Sequence, residues 1–207
     1  MMRYLMICAL LLMTLPAFAQ TSRYAFDSGT YTNAVAPYTT SMRITGAFVT
    51  AEPLPPNASG LQIGPRSAVP LVTAYSFFDG IHTYTESNSI EFGPNPALFR
   101  VWTDADGNIV NWYIALYSPV SAVGGDDIFA IQLYDTEASA INGECSSTPC
   151  DGVSIAFDTP RGSVQPGGAW TRFIAHPVPA TSPLSIVGAL ALMLMALGVS
   201  RRRERAR

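Results

Sequence analysis

Phe99–Tyr117 reads FRVWTDADGNIVNWYIALY, two β-forming runs around a polar centre. Before the centre, Val101 and Thr103 alternate with Arg100 and Trp102; after it, Ile109, Asn111 and Tyr113 alternate with Val110, Trp112 and Ile114. A period of two puts successive side chains on opposite faces of a strand. Between the runs, Asp106-Gly107 or Gly107-Asn108 supplies residues that tolerate positive φ, as a tight hairpin requires. The stretch therefore predicts a β-hairpin. The same residues, Asp104-x-Asp106-Gly107-Asn108, also look like part of a calcium loop, the alternative to plain turn chemistry. A full EF-hand loop needs a Glu at its twelfth position and flanking helices, and the sequence has neither.

The pattern recurs on both sides. Short apolar or alternating runs predict strands at Met42–Thr50, Leu71–Phe78, His82–Glu86, Leu98–Thr103, Ile109–Tyr117, Ile128–Tyr134, Val153–Asp158 and Trp170–Ile174, separated by Gly, Pro, Asn and Asp. Tyr24–Phe26 and Tyr31 suggest an additional edge strand. Ser76–Asn88, SFFDGIHTYTESN, is a second hairpin candidate turning at Asp79-Gly80, and AEPLPPNASG (51–60) reads as a proline-rich loop. No helical period and no internal repeat stand out. The expectation is an all-β fold: one antiparallel β-sandwich or jelly-roll-like domain over residues 20–175, long enough for its own core.

Charge narrows the partners. The chain has no lysine, and residues 20–175 carry six arginines against fourteen acids, a net charge of −8. The last seven residues carry five Arg and one Glu, or +4, so the whole-chain value of −3 hides an asymmetry. An acidic body with no basic stripe argues against nucleic acid, since phosphate contacts need clustered cations.

Both ends are distinct from this body. Arg3, the apolar run Tyr4–Leu15, Pro16 and Ala17-Phe18-Ala19 form a secretory signal with an A-x-A cleavage site, so residues 1–19 leave and the mature chain begins at Gln20. Cys8 leaves with them. The remaining cysteines, Cys145 and Cys150 in CSSTPC, are expected to pair as a disulfide in an oxidising compartment, with an entropic stabilisation of roughly 2 kcal/mol for so short a loop. Free thiols and a metal site are the alternatives; the latter lacks further His or Cys ligands nearby. At the other end, residues 176–207 hold a proline-rich start, the uncharged stretch Leu184–Ser200 and an arginine cluster from Arg201. As a helix, 184–200 spans about 25 Å, near the lower limit for crossing a bilayer core. The arginines would stay cytoplasmic and leave the body outside.

Pro177-Val178-Pro179-Ala180-Thr181, an apolar helix and Arg201-Arg202-Arg203 together resemble the three-part C-terminal sorting signal of PEP-CTERM proteins, found in Gram-negative bacteria with an exosortase. The family has Glu where this chain has Val178, and Val178–Pro183 also resembles the IPTL-type variant. The resemblance implies that an exosortase-like membrane enzyme cuts near the prolines and releases or transfers the body, after a transient stay in the membrane. Prolines suit such a site because they keep it extended. A retained single-pass anchor is the alternative. The stretches PLPPN (53–57), SFFDGIHTYTESN and WTDADGNIVNW (102–112) are similar to those of uncharacterised secreted bacterial proteins bearing such tails. That likeness implies fold and address, not activity.

Little in the body points to catalysis. His82 and His176 are the two histidines, and no G-x-S-x-G elbow, P-loop, dinucleotide-binding glycine pattern or zinc spacing is present. Asp79, Glu86, Glu91, Asp126 and Asp127 are the acids a glycosidase would draw on, although acids at turns are ordinarily turn formers. Trp102, Trp112, Tyr113, Tyr117 and Trp170 form either a sugar-stacking platform or core; Trp102 and Trp112 are the candidate glycan contacts. The sequence thus leads to a non-enzymatic exported protein of the surface or extracellular matrix, without cofactor or metal, with polysaccharide as a candidate partner. A membrane-held carbohydrate-binding module is the alternative.

Overall fold

The computed structural model describes residues 21–92, 98–148, 150, 152–154 and 159–174, all within the compact unit Met1–Ala175. The signal segment, the sorting tail and the tail helix expected at 184–200 lie outside the described residues. Among the described residues there is no helix, and hence none long and apolar enough to cross a membrane. They form fourteen strands: β1 (Ser22–Thr30), β2 (Asn33–Val35), β3 (Arg43–Thr50), β4 (Leu61–Gln62), β5 (Val72–Phe78), β6 (Thr83–Thr85), β7 (Ile90–Glu91), β8 (Phe99–Thr103), β9 (Ile109–Ser118), β10 (Asp127–Tyr134), β11 (Ala138–Cys145), β12 (Val153–Ser154), β13 (Arg161–Val164) and β14 (Ala169–Ile174).

These strands make two sheets in which every pairing is antiparallel. One has five strands in the order β14-β1-β3-β5-β6. The other runs β2-β13-β11-β10-β9-β8-β4, with β12 beside β11 and β7 beside β9. The first and last parts of the body close one side together. β1 pairs β14 in the five-stranded sheet, then the chain crosses at Tyr31 and β2 pairs β13 in the other sheet. The segment expected as an edge strand, Tyr24–Phe26, is therefore interior, flanked by β14 and β3. It alternates buried Ser22, Tyr24, Phe26 and Ser28 with outward Arg23, Ala25 and Asp27, the pattern of a strand with one face on the core.

The inner faces meet through aromatic rings. Phe48 of β3 stacks on Tyr24 (5.0 Å between centroids) and meets Phe99 of β8 edge-on (5.5 Å, 85°). Phe26 meets Trp112 of β9 edge-on at 6.1 Å, and Trp112 meets Trp170 of β14 at 6.3 Å. Edge-on and offset geometries suit the ring quadrupole, and each ring hides a large apolar area. Room for so many rings comes from small residues opposite them: Gly46 in β3, Ala138 and Ala140 in β11. A second cluster lies on the far side of the larger sheet, where Phe92, Ala115, Tyr117, Ala122, Ile128, Ala130, Cys145 and Cys150 pack.

The Phe99–Tyr117 stretch forms the expected hairpin, β8 against β9. Asp104 builds its turn. Its Oδ1 accepts from the N–H groups of Asp106 (2.9 Å) and Asn108 (2.8 Å), and its Oδ2 from Asn108 Nδ2 (3.0 Å). Hydrogen bonding to Asn108, above all, holds the Asp104 carboxyl below its ordinary pKa. Gly107 takes φ 78°, which an L side chain rarely adopts. The proline-rich loop docks on this end: Ala58 N–H donates to Thr103 Oγ1 (2.9 Å), and Thr103 Oγ1 donates to the Pro55 carbonyl (2.6 Å).

Candidate functional site

Two features bear on function: a buried polar clasp at one end of the sheets and an open trough on the five-stranded sheet. The clasp centres on Asp79, at the turn between β5 and β6. Gly80 sits beside it at φ 102°, and Asp79 N–H donates to the His82 carbonyl (3.1 Å). The Asp79 side chain is fully buried. Its Oδ1 accepts from the N–H groups of Ile81 (2.8 Å) and His82 (2.7 Å), which fixes the turn. Its Oδ2 accepts from the hydroxyls of Tyr84 (2.8 Å) and Tyr38 (2.9 Å), while Tyr31 donates to the Asp79 carbonyl (2.6 Å).

Tyr38 also reaches Asn142 Oδ1 of β11 at 2.9 Å, so the network spans both sheets. A phenol has one proton, which Asp79 and Asn142 share. His82, expected within a strand, lies in the turn just before β6. Its Nδ1 is 3.4 Å from Asp79 Oδ2, and its ring stacks on Phe129 of β10 with centroids 3.8 Å apart. A carboxyl that receives four hydrogen bonds and sits below solvent is built to hold parts together rather than to meet a substrate.

Burial, reinforced by the nearby Asp79 charge, raises Tyr31, Tyr38 and Tyr84 well above the ordinary tyrosine value of 10.0. Burial pushes Tyr75 up to about 12. The folded protein thus keeps protons that the unfolded chain releases above pH 10.0. Stability is whole below that pH and falls as pH climbs past it, with a slope of about 1.4 kcal/mol per pH unit for each such group. Urea midpoints measured across this range, with tyrosinate absorbance followed in parallel, should drop steeply above about pH 10. A flat midpoint there would mean that these hydroxyls ionise freely in the fold.

The other acids are dispersed. Glu91 in β7 is buried and accepts from Arg66 N–H (3.2 Å), while the Arg66 guanidinium returns a bond to the Glu91 carbonyl (3.0 Å). Glu86 is exposed and accepts from Tyr75 N–H (3.3 Å). Asp126 caps the loop before β10 by accepting from Val123 N–H (2.9 Å), and Asp127 opens β10 opposite Glu144. Among the described residues no group of three or more His, Cys, Asp or Glu is gathered to hold a metal. Cys145 and Cys150 are joined as a disulfide, with Cα atoms 5.5 Å apart, and pin the β11–β12 connection within the second cluster.

The candidate glycan contacts part company. Trp102 pairs with Asn111 and Trp112 with Val101, so the two indoles point to opposite faces of the larger sheet. Trp112 is 7% exposed and enclosed by Phe26 and Trp170. Trp102 is half-buried beside Gly60. Tyr113 packs on Tyr134, and Tyr117 on Phe92. The rings open to solvent are others, Phe78 at 43% and Phe173 at 50% exposure.

Those rings belong to the outer face of the five-stranded sheet, which carries a trough of about 830 Å³. Its floor follows from register. Ala25 of β1 lies opposite Ala47 of β3, and Ala47 opposite Ser76 of β5. The row continues to Thr171 of β14 on one edge and Thr85 of β6 on the other. Four of these small residues, Ala25, Ala47, Ser76 and Thr85, line a channel across the strands. Arg23, Val49 and Ala74 form one flank, Thr45 and Phe78 the other, and Glu86 closes toward β6. The Arg23 guanidinium also lies 5.7 Å from the Phe173 ring centre. Sequence reading missed this site because each outward alanine or serine is unremarkable alone. Only the register of separate strands aligns them.

The processing residues Pro177, Val178, Pro179, Ala180, Thr181 and Arg201–Arg203, with Ala17, Ala19, Gln20 and His176, lie outside the described residues. No protein-family model matches this chain, and no curated protein or solved structure matches it.

Proposed function

We propose that this chain is a non-enzymatic exported protein of the cell surface or extracellular matrix, processed at its C-terminal tail by an exosortase-like membrane enzyme. The observation that carries the reading is the order of parts after Ala175: a proline motif, an uncharged stretch and an arginine cluster. The Cys145–Cys150 disulfide supports it, because such bonds persist in oxidising compartments outside the cytoplasm. The acidic, lysine-free body supports it by removing nucleic acid as a partner.

The test is the intact mass of the protein from native envelope and medium, with its C-terminal peptide sequenced. The expected chain starts at Gln20 and ends near Pro179, without the apolar stretch. A chain still ending at Arg207 in the inner-membrane fraction would replace sorting with anchoring. A second reading, a carbohydrate-binding module held at the membrane, gains support from the trough on the five-stranded sheet rather than from Trp102 and Trp112.

A further inference from the structure

We infer that the trough over Ala25, Ala47 and Ser76 binds a strand of neutral polysaccharide laid across β1, β3, β5 and β6, with Phe78 as its stacking face and Arg23 and Glu86 as its polar contacts. The inference rests on the carbohydrate-binding reading only in holding that the body binds glycan, and it needs nothing from the tail.

Shape comes first. The row Ala25, Ala47, Ser76, Thr85 lines the trough from β1 to the β6 edge without a large side chain. Three inter-strand steps make it roughly 14 Å long. A small molecule is ordinarily held in an enclosed pocket that hides most of its surface. An open channel running across several strands suits a polymer that extends beyond it at either end.

Chemistry then selects the polymer. The floor offers alanine methyls, which pack on the apolar faces of sugar rings. Ser76, Thr85, Thr45 and Ser87 offer hydroxyls, and Arg23 and Glu86 offer a donor group and an acceptor group for sugar hydroxyls. The backbone N–H and C=O groups beneath are engaged by the neighbouring strands and, at Tyr75 N–H, by the Glu86 carboxylate. A peptide in the channel would thus bring backbone groups with few partners, whereas peptides recognised by sheets add to a free edge. Phe78 is 43% exposed in the wall, where burying its ring costs no existing packing.

Charge selects within the class. The lining residues hold one cation, Arg23, and one acid, Glu86. They sit on a body of net charge −8, which repels a polyanion at long range. A neutral glycan meets neither obstacle.

The test uses the full chain, purified in mild detergent, in native affinity gels containing hydroxyethyl cellulose, xylan, galactomannan or dextran, with alginate as the acidic contrast. Retardation is expected in at least one neutral gel and not in alginate. Ser76→Trp, at an exposed outward position that a sheet tolerates, should fill the channel and weaken retention about tenfold or more. Ala47→Trp should do the same, and Phe78→Ala should weaken it about threefold to tenfold. Trp102→Ala should leave retention unchanged. Thermal midpoints of each variant separate loss of binding from loss of fold. Retention that survives Ser76→Trp and Ala47→Trp, or retention in alginate alone, would overturn the trough and leave a glycan-binding body with its site elsewhere. No retardation in any gel would overturn both.

Discussion

Asp79→Ala is expected to lower the unfolding free energy by about 3–5 kcal/mol, at the large end for a single substitution. The carboxyl receives four hydrogen bonds at 2.7–2.9 Å from Ile81, His82, Tyr38 and Tyr84. Alanine deletes the acceptor and leaves the donors. Tyr84 is fully buried, so its hydroxyl cannot turn to solvent without moving a core ring, and the Ile81 and His82 N–H groups lose their acceptor with it; Tyr38 falls back on Asn142 Oδ1. An orphaned buried donor costs its full desolvation, which exceeds the net worth of the bond it lost.

Two comparisons separate this clasp from simple loss of volume. Asp79→Asn keeps an acceptor for the two backbone N–H groups but sets an NH₂ against two phenol donors, so about half the loss is expected. Tyr38→Phe removes only the bridge to Asn142 and one donor, an expected loss of about 1–2 kcal/mol. Urea denaturation of Asp79→Ala, Tyr38→Phe and the double variant should be non-additive, because each single change already breaks the bond between the two side chains. A loss below about 1 kcal/mol for Asp79→Ala would mean that water takes its place and that the network is dispensable.

How far the sequence reveals this molecule depends on the kind of residue in each strand. Alternating strands with aromatic or β-branched residues, such as β3, β5, β8 and β9, are visible because pattern and propensity agree. β11 escapes notice although it is eight residues long and interior to its sheet. Its sequence ASAINGEC holds one usual strand former, Ile141, since Ala138 and Ala140 must stay small beneath the aromatic layer and Gly143 must admit β12. β2, β4, β7 and β12 show only two or three residues and leave no period to detect. In β1 the apparent edge strand Tyr24–Phe26 extends to nine residues because its outward positions, Arg23, Ala25 and Asp27, look like loop residues until β3 and β14 flank them. The candidate sites divide likewise. Turn chemistry at Asp104 is local and can be read from five residues. The clasp joins Tyr31, Tyr38, Asp79, Tyr84 and Asn142 from distant segments, and the trough joins four strands by register.

Gly46→Val is the second change from which a large effect is expected, and here the cause is crowding. Gly46 lies mid-strand in β3, between Phe26 of β1 and Phe77 of β5 in direct register. A Cβ at this position would stand 2.4 Å from the Phe77 ring, 2.5 Å from the Ser76 carbonyl oxygen and 2.7 Å from Phe77 Cα. The ring could rotate, but the carbonyl and the Cα belong to the neighbouring strand. Making room therefore means separating β3 from β5, which opens the ladder beneath the trough and lifts Phe48 from Tyr24 and Phe99. Overpacking typically costs about 1–3 kcal/mol, and a β-branched side chain pressed on backbone falls at or beyond the upper limit. Glycine in a strand interior ordinarily weakens it, so its presence marks a close approach that no other residue permits.

The companion substitution Phe77→Leu tests the cause. If crowding against the ring dominates, the smaller side chain should recover part of the stability lost in Gly46→Val. If the backbone contacts dominate, the double variant should be worse than either single change. Equal stability of Gly46→Val and the parent in urea would show that β3 and β5 are not held as closely as their register requires, and the trough floor built on that register would fall with it.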